Sequence, residues 1–157
     1  MSNVNIGLDE NARKAVAASL NQTLADTYAL YMKTHAFHWN VTGPQFHTLH
    51  VMFEEQYREM WTALDTIAER VRALGVFAPT SGGEMAALSA IEDADAEPPA
   101  AAEMVKRALA GHETLIQRAR DGLAVAEEAG DAASADLFTV RIQTHEKTAW
   151  MLRAMAA

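Results

Sequence analysis

The sequence predicts an all-α fold built from four long helices in a single bundle. Half of the 157 residues are hydrophobic, while aromatic residues make up only 7%. Alanine, leucine, glutamate and methionine are abundant, and these residues favour helices. Apolar side chains also recur every three or four residues over long stretches, which is the spacing along one helix face. We therefore expect one helical domain, residues 1–157.

A short turn separates the first two predicted helices. We expect one helix from Asp9 to His38 and another from about Gln45 to Leu74, ended by Gly75. Between them, residues 41–44 contain glycine and proline, which interrupt a helix more readily than they continue it. The stripe of the first helix consists of Val16, Leu20, Leu24, Tyr28, Tyr31 and His35. The stripe of the second consists of Phe46, Leu49, Phe53, Tyr57, Met60, Leu64, Ile67, Val71 and Leu74.

The connection at 76–99 is much longer than the other two and is rich in glycine and proline. It has room for a short helix from Glu84 to Ala94. A third long helix is expected from Ala100 to Ala129, and a fourth from Ala132 to Met155 after a tight turn. Short connections join antiparallel neighbours, whereas the long one can cross the bundle. One long crossover in a four-helix bundle is the ferritin-like arrangement.

Composition excludes several classes of protein. The sequence has no run of 18 apolar residues, which is the length needed to span a membrane. The N-terminal residues show no cleavable signal pattern. There is no cysteine, so neither disulfides nor thiolate metal sites are expected. The formal net charge of −8 disfavours contact with nucleic acid phosphates. We expect a soluble cytoplasmic protein.

The segment THAFHWNVTGPQFHTLH, residues 34–50, holds four of the six histidines, and this crowding suggests metal ligands. Those four are His35, His38, His47 and His50. Because residues three apart share a helix face, the pairs on each side of the turn could form an intrachain zinc or iron site. We favour the alternative that His35 is hydrogen-bonded in the core and His47 is exposed. His112 and His145, on later helices, are expected to be structural.

A separate polar stripe lies beside the apolar stripe of the second helix. At 100° per residue its members fall within about 100° of one another, away from the bundle centre. These members are His50, Glu54, Trp61, Asp65 and Glu69. A tryptophan on such a line suggests a partner surface rather than plain solvent. Four other charged residues of this helix are expected to meet water: Glu55, Arg58, Glu59 and Arg70.

Distance along the helix decides how these residues can share a metal. His50 and Asp65 are 15 residues apart, or about 22 Å along one helix, so one ion cannot bind both within a chain. Antiparallel pairing of this helix with its copy, about a two-fold axis near residues 57–58, would bring them together. The predicted site combines His38 and His50 of one chain with the acids Asp65 and Glu69 of its partner, and Glu54 lies close by.

The predicted ligands are imidazoles and carboxylates, which suit iron, zinc or manganese. The intrachain di-iron sites of other four-helix bundles use two Glu-x-x-His motifs. No histidine of this chain has glutamate three residues before it. An intersubunit site is therefore favoured.

The chain resembles the Dps family, the DNA-binding proteins from starved cells, which are dodecameric mini-ferritins. The resemblance rests on HWNVTGPQFHTLH, on FEEQYREMWTALDTIAERVRALG and on the later THEKTAWML, and covers nearly the whole chain. It implies a homo-oligomer, a dodecamer built from two-fold dimers. It also implies that Fe(II) is bound between two subunits, is oxidised with hydrogen peroxide in preference to oxygen, and is stored as ferric mineral. Such a ferroxidase would protect against oxidative damage.

Carried over by position, the resemblance implies the metal ligands His38, His50, Asp65 and Glu69. Glu54 stands where the family often has aspartate, either as a direct ligand or beside one. Trp39 would lie near the iron and supply or trap an electron, or else simply fill the interface. Zinc could act as an inhibitor or resting occupant.

The family's threefold pores are lined by acids near the start of the last helix. Here Asp131 and Asp136 match approximately, with Glu127 and Glu128 as further contributors. An alternative reading of Asp131 is that it complements the dipole at a helix start.

Many DNA-binding members of the family carry a lysine-rich N-terminal tail, but the first 32 residues here hold only two basic residues, Arg13 and Lys14. We expect weak or no DNA binding. Two other functions remain open at this point: a nucleoid-compacting structural protein, and a non-enzymatic zinc- or iron-binding protein that uses the clustered histidines.

Overall fold

A computed structural model of the chain describes residues 4–92 and 96–156. In these ranges the regular secondary structure is entirely α-helical. In chain order these are α1 (Glu10–Asn40), α2 (Phe46–Ala73), α3 (Gly82–Leu88), α4 (Ala101–Glu128) and α5 (Ala132–Ala156). The all-α, four-helix prediction is confirmed. The ends of the four long helices fall within two residues of the predicted positions, because caps and periodicity are local properties of the sequence.

The short crossover helix differs from its prediction. It begins at Gly82, where the Ser81 hydroxyl accepts a hydrogen bond from the Glu84 amide at 3.2 Å, and it ends at Leu88. Beyond it the chain turns inward, and the Ala90 amide donates to the buried Asp26 carboxylate at 2.6 Å. This tertiary bond replaces the helical continuation that we expected. The predicted end at Ala94 lies outside the described residues.

The bundle consists of two antiparallel hairpins, α1–α2 and α4–α5, packed mainly through α1 and α4. Three clusters of buried apolar side chains fill it from end to end. Representative members are Val16, Leu20, Ile67 and Phe138 at one end, Leu30, Met60 and Leu115 in the middle, and Phe37, Phe53, Val105 and Leu152 at the other.

The stripe predicted on α1 changes character along the helix. Its first three members, ending at Leu24, are buried, whereas Tyr28, Tyr31 and His35 are only half-buried. On α2, Phe46 was expected in the core but is 45% exposed, because it lies at the first residue of the helix. No helix in the described ranges is long and apolar enough to span a membrane.

Candidate metal centre

His38 and His50 face each other across the α1–α2 turn. The Nδ1 of His38 lies 2.8 Å from the carbonyl oxygen of His50, and the Nδ1 of His50 lies 2.8 Å from the carbonyl oxygen of His38. A carbonyl only accepts, so each Nδ1 must carry the hydrogen and donate it. In the neutral rings each Nε2 then keeps a free lone pair. Histidine metal ligands are commonly oriented by this kind of bond.

The local sequence explains why the pair forms. His38 lies in the last turn of α1, where backbone carbonyls lack a helical donor, and the His50 side chain satisfies one of them. The turn between the helices contains Gly43 with φ at +104°, a conformation that suits glycine. The two imidazole rings stack with centroids 3.8 Å apart. The pair is thus held in position without a metal.

Glu54 lies one helical turn after His50 and is half-exposed. Its Oε1 accepts hydrogen bonds from Arg58, at 2.8 Å from Nε and 2.6 Å from Nη2. The hydrogen bond from Arg58 lowers the pKa of Glu54, and the charges of Arg58, His38 and His50 act in the same direction. Glu54 is therefore an anionic group beside the histidine pair, although Arg58 competes for its oxygen.

Asp65 and Glu69 are exposed on the same helix, further along it. Trp61, one turn before Asp65, is 62% exposed. Within residues 4–92 and 96–156, no three histidine, aspartate or glutamate side chains come close enough to hold a metal ion. One chain therefore brings His38 and His50 together with Glu54 nearby, but it does not bring Asp65 and Glu69 to them.

His35 belongs to an aromatic cluster beside this pair. Its ring stacks on Tyr57 at 3.8 Å between centroids and packs against the 60%-exposed Trp39 at 4.1 Å. Its Nδ1 lies 3.2 Å from the hydroxyl of Tyr31. Burial, followed by the charges of His38 and Arg58, lowers the pKa of His35. His47 is exposed, as we expected, whereas His35 is only half-buried and not in the core.

Asp131 is 3% exposed and lies just before α5. Its carboxylate accepts from Arg70 Nη2 at 2.7 Å and from the Ser134 amide and hydroxyl at 3.1 and 2.6 Å. Burial raises the pKa of Asp131, but the hydrogen bonds from Arg70 and Ser134 outweigh burial and lower it. Its oxygens are thus occupied within the chain. Asp136 is exposed and available, as are Glu127 and Glu128.

Two residues expected to meet solvent instead make contacts between helices. Arg70 binds Asp131, and Glu59 binds the buried Arg141. Both partners lie at or on α5, and nothing in the sequence of α2 identifies them. Only the relative rotation of the packed helices brings these groups together.

The chain matches the ferritin-like domain family over residues 17–157. It is 39% identical over 141 residues to DNA protection during starvation protein 2 of Bacillus anthracis, a match covering 90% of this chain and 96% of that one. It is 40% identical over 155 residues to a low temperature-induced protein of Nostoc, covering 98% and 87%.

Among solved structures, the chain resembles the Dps protein of Vibrio cholerae, described as a member of the ferritin-like diiron-carboxylate superfamily. The TM-score is 0.94 and the identity 30%, covering 100% of this chain and 98% of that one. It also resembles a Dps protein of Bacillus brevis, with a TM-score of 0.90 and 37% identity, covering 94% and 98%. The bundle, the histidine pair and these relatives together show that the chain belongs to the Dps family of ferritin-like proteins.

Proposed function

We propose that this protein is an iron-sequestering ferroxidase whose sites form between two subunits and use hydrogen peroxide. The observation that carries the proposal is the locked pair His38 and His50, whose Nε2 atoms are both free to bind a metal. Two histidines alone make an incomplete iron site. The acids Asp65 and Glu69 lie exposed on the helix of His50, about 22 and 28 Å from it along the axis, and would complete the site of a second copy.

The pairing is a two-fold contact of α2 with its copy near residues 57–58. Trp61 and Trp39 are each at least 60% exposed on the chain described here. Large exposed aromatic side chains commonly mark a protein interface. Self-complementary contacts of this kind are the usual route to homodimers. Further assembly into a dodecamer, with Asp136 at an entry pore, extends the proposal to storage of the ferric product in a hollow shell.

The ligand set suits the chemistry. Carboxylate oxygens stabilise ferric iron, and imidazole accepts ferrous iron. Two Fe(II), one hydrogen peroxide and two protons give two Fe(III) and two waters, so one-electron release of hydroxyl radical is avoided. Trp39, beside the site, would supply an electron when one iron is lacking. The same ligands accept zinc, which would occupy the site at rest or inhibit it.

The relatives support this assignment. One is named for DNA protection during starvation, and a structural neighbour is described as a diiron-carboxylate protein. Removal of Fe(II) and peroxide from the cytoplasm would protect against oxidative damage without any contact with DNA.

Asp65→Asn tests the site. We expect Fe(II) oxidation by peroxide after anaerobic loading to slow by at least about 10- to 100-fold, the range found when even the outer partners of metal ligands are lost. Glu55→Gln, an exposed acid of the same helix, is the control and should match the unmodified protein. Oxidation of iron by the unmodified protein no faster than in buffer would overturn the enzymatic assignment and leave a metal-binding protein.

Sharing between subunits is tested by co-assembly. Chains carrying His38→Ala and His50→Ala are mixed with chains carrying Asp65→Asn and Glu69→Gln. In mixed dimers, one of the two sites regains all four ligands, so part of the oxidation rate should return. If verified mixed oligomers remain as inactive as either parent, the shared geometry is wrong.

Weak or absent DNA binding follows from the net charge of −8, because phosphate contacts require many basic side chains. In a mobility-shift experiment we expect no retention of plasmid at physiological salt. Retention there would favour the nucleoid-compacting function instead.

A further inference from the structure

Most of the tyrosines and tryptophans of this chain lie together across α1 and α2. It has three tyrosines and three tryptophans. All three tyrosines and two of the tryptophans form a continuous row across α1 and α2, together with His35. These residues are Trp39, His35, Tyr57, Tyr31, Tyr28 and Trp61. Such concentration in a chain with few aromatics calls for an explanation beyond core packing.

The row has one end at the histidine pair. The ring of Tyr57 meets the ring of His38 edge-on, with centroids 5.2 Å apart. From Tyr57 the next ring is Tyr31, at 6.3 Å, and from Tyr31 the next is Trp61, at 5.5 Å. His35 stacks on Tyr57 and lies 5.6 Å from Tyr31, which gives a second connection between the two tyrosines.

The other end of the row lies at the acids. Trp61 is one helical turn before Asp65 on α2. In the two-fold dimer, Asp65 binds the iron held by the histidines of the partner. The row of one subunit therefore begins at one iron site of the dimer and ends beside the other.

We propose that Tyr57, Tyr31 and Trp61 form an electron relay that joins the two iron sites of a dimer. This inference rests on the proposed function and extends it. The relay lets two sites that each hold a single Fe(II) complete the two-electron reduction of one peroxide.

The electrons balance in three steps. Fe(II) at the first site gives one electron to hydrogen peroxide, whose O–O bond breaks to hydroxide and a hydroxyl radical. The radical takes the second electron from the relay and becomes a second hydroxide, leaving a tyrosine as a neutral phenoxyl radical. Fe(II) at the far site then reduces this radical. With two protons taken up by the hydroxides, the sum is two Fe(III) and two waters.

A proton acceptor for the phenol of Tyr31 is also present. The hydroxyl of Tyr31 lies 3.2 Å from Nδ1 of His35, within hydrogen-bonding reach. In the tautomer that leaves this nitrogen unprotonated, Tyr31 donates to it. The proton moves to His35 as the electron leaves Tyr31, and it returns when the far Fe(II) reduces the radical.

The test compares Tyr31→Phe and Tyr57→Phe with Tyr28→Phe, the matched control. Tyr28 lies at a branch, 6.4 Å from Tyr31 and off the path between the sites. Each assembled protein is loaded anaerobically with one Fe(II) per site and mixed with peroxide. Freeze-quench electron paramagnetic resonance follows protein radicals, a spin trap follows hydroxyl radical, and iron binding is titrated separately.

We expect a transient aromatic radical in the unmodified protein and in Tyr28→Phe. In Tyr57→Phe the tyrosyl signal should weaken and trapped hydroxyl radical should rise several-fold. In Tyr31→Phe the radical on Tyr57 should persist, because the far Fe(II) can no longer reduce it. Iron binding should be unchanged in both variants. If the unmodified protein oxidises iron rapidly but both variants behave like it, the relay is wrong and the ferroxidase stands. If the unmodified protein does not oxidise iron with peroxide, both proposals fail.

Discussion

Replacing Asp26 with alanine is expected to lower the free energy of unfolding by about 3–5 kcal/mol, the usual cost of removing one partner from a buried ion pair. Asp26 is fully buried in α1, and its Oδ2 accepts from Arg118 Nε of α4 at 3.0 Å. Its Oδ1 accepts from the hydroxyl of Ser89 at 2.9 Å and from the amide of Ala90 at 2.6 Å. One carboxylate thus ties together α1, α4 and the crossover.

The loss of stability should appear first in the crossover between α2 and α4. Without Asp26, the Ala90 amide loses its acceptor and the guanidinium of Arg118 is left without its charge partner. Denaturant unfolding at fixed subunit concentration measures the stability, and hydrogen exchange at Ala90 reports local release of the crossover. Glu10→Gln is the control, because Glu10 pairs with Lys14 on the exposed surface, where ion pairs contribute little to stability. A loss below about 1 kcal/mol in Asp26→Ala would contradict the assignment.

The hydrogen bonds of Asp26 also show why part of the fold could not be predicted from the sequence. The long helices could be predicted because apolar periodicity, caps and Gly75 act within a few residues of one another. The end of α3 could not, because Ala90 is held by a carboxylate 64 residues earlier in the chain. The contacts of Arg70 and Glu59 were missed for the same reason. A helical wheel fixes the direction of a side chain but does not say which helix lies opposite.

The candidate site, too, could be predicted from the sequence only in part. His38 and His50 could be selected from the sequence because a short turn must bring them close, and the structure places their rings in contact. Their exchange of hydrogen bonds with each other's carbonyls could not be foreseen, since it depends on the geometry of that turn. The aromatic row was overlooked because Tyr31, Tyr57 and His35 were read as core positions, and only the packing of α1 on α2 shows that they form one path.

The buried pair His112 and His145 should make the bundle sensitive to acid. Their Nδ1 atoms are 2.9 Å apart, so one ring must donate and the other accept, which two fully protonated rings cannot do. Both Nε2 atoms are buried and have no partner in the described structure. Burial, assisted by the charge of Arg141, lowers the pKa of His112 to about 3. Burial, with the charges of His112 and Arg141, holds the pKa of His145 well below its ordinary value.

The direction of the pH effect follows from proton uptake. In the unfolded chain both histidines take a proton near pH 6.5, their ordinary pKa. In the folded bundle they stay neutral well below that pH, so the unfolded state binds more protons and stability falls as the pH drops below about 6.5. Each histidine contributes at most about 1.4 kcal/mol per pH unit, and the pair therefore about 2–3 kcal/mol between pH 6 and pH 5. Most carboxylates titrate lower, near pH 4.

The measurement is the free energy of unfolding at several pH values between 7 and 5, for the unmodified protein and for His112→Asn with His145→Asn. The two amides can keep one hydrogen bond between the helices but cannot titrate. We expect the double variant to lose most of the slope below pH 6.5, whatever its stability at pH 7. The slope depends only on how many more protons the unfolded state binds than the folded state. His47→Asn, which removes an exposed histidine, is the control for the loss of a histidine outside the buried pair. If the free energy of unfolding falls equally with pH in the double variant and in the unmodified protein, the prediction is wrong. The buried pair would then take up protons in the folded state as it does in the unfolded state.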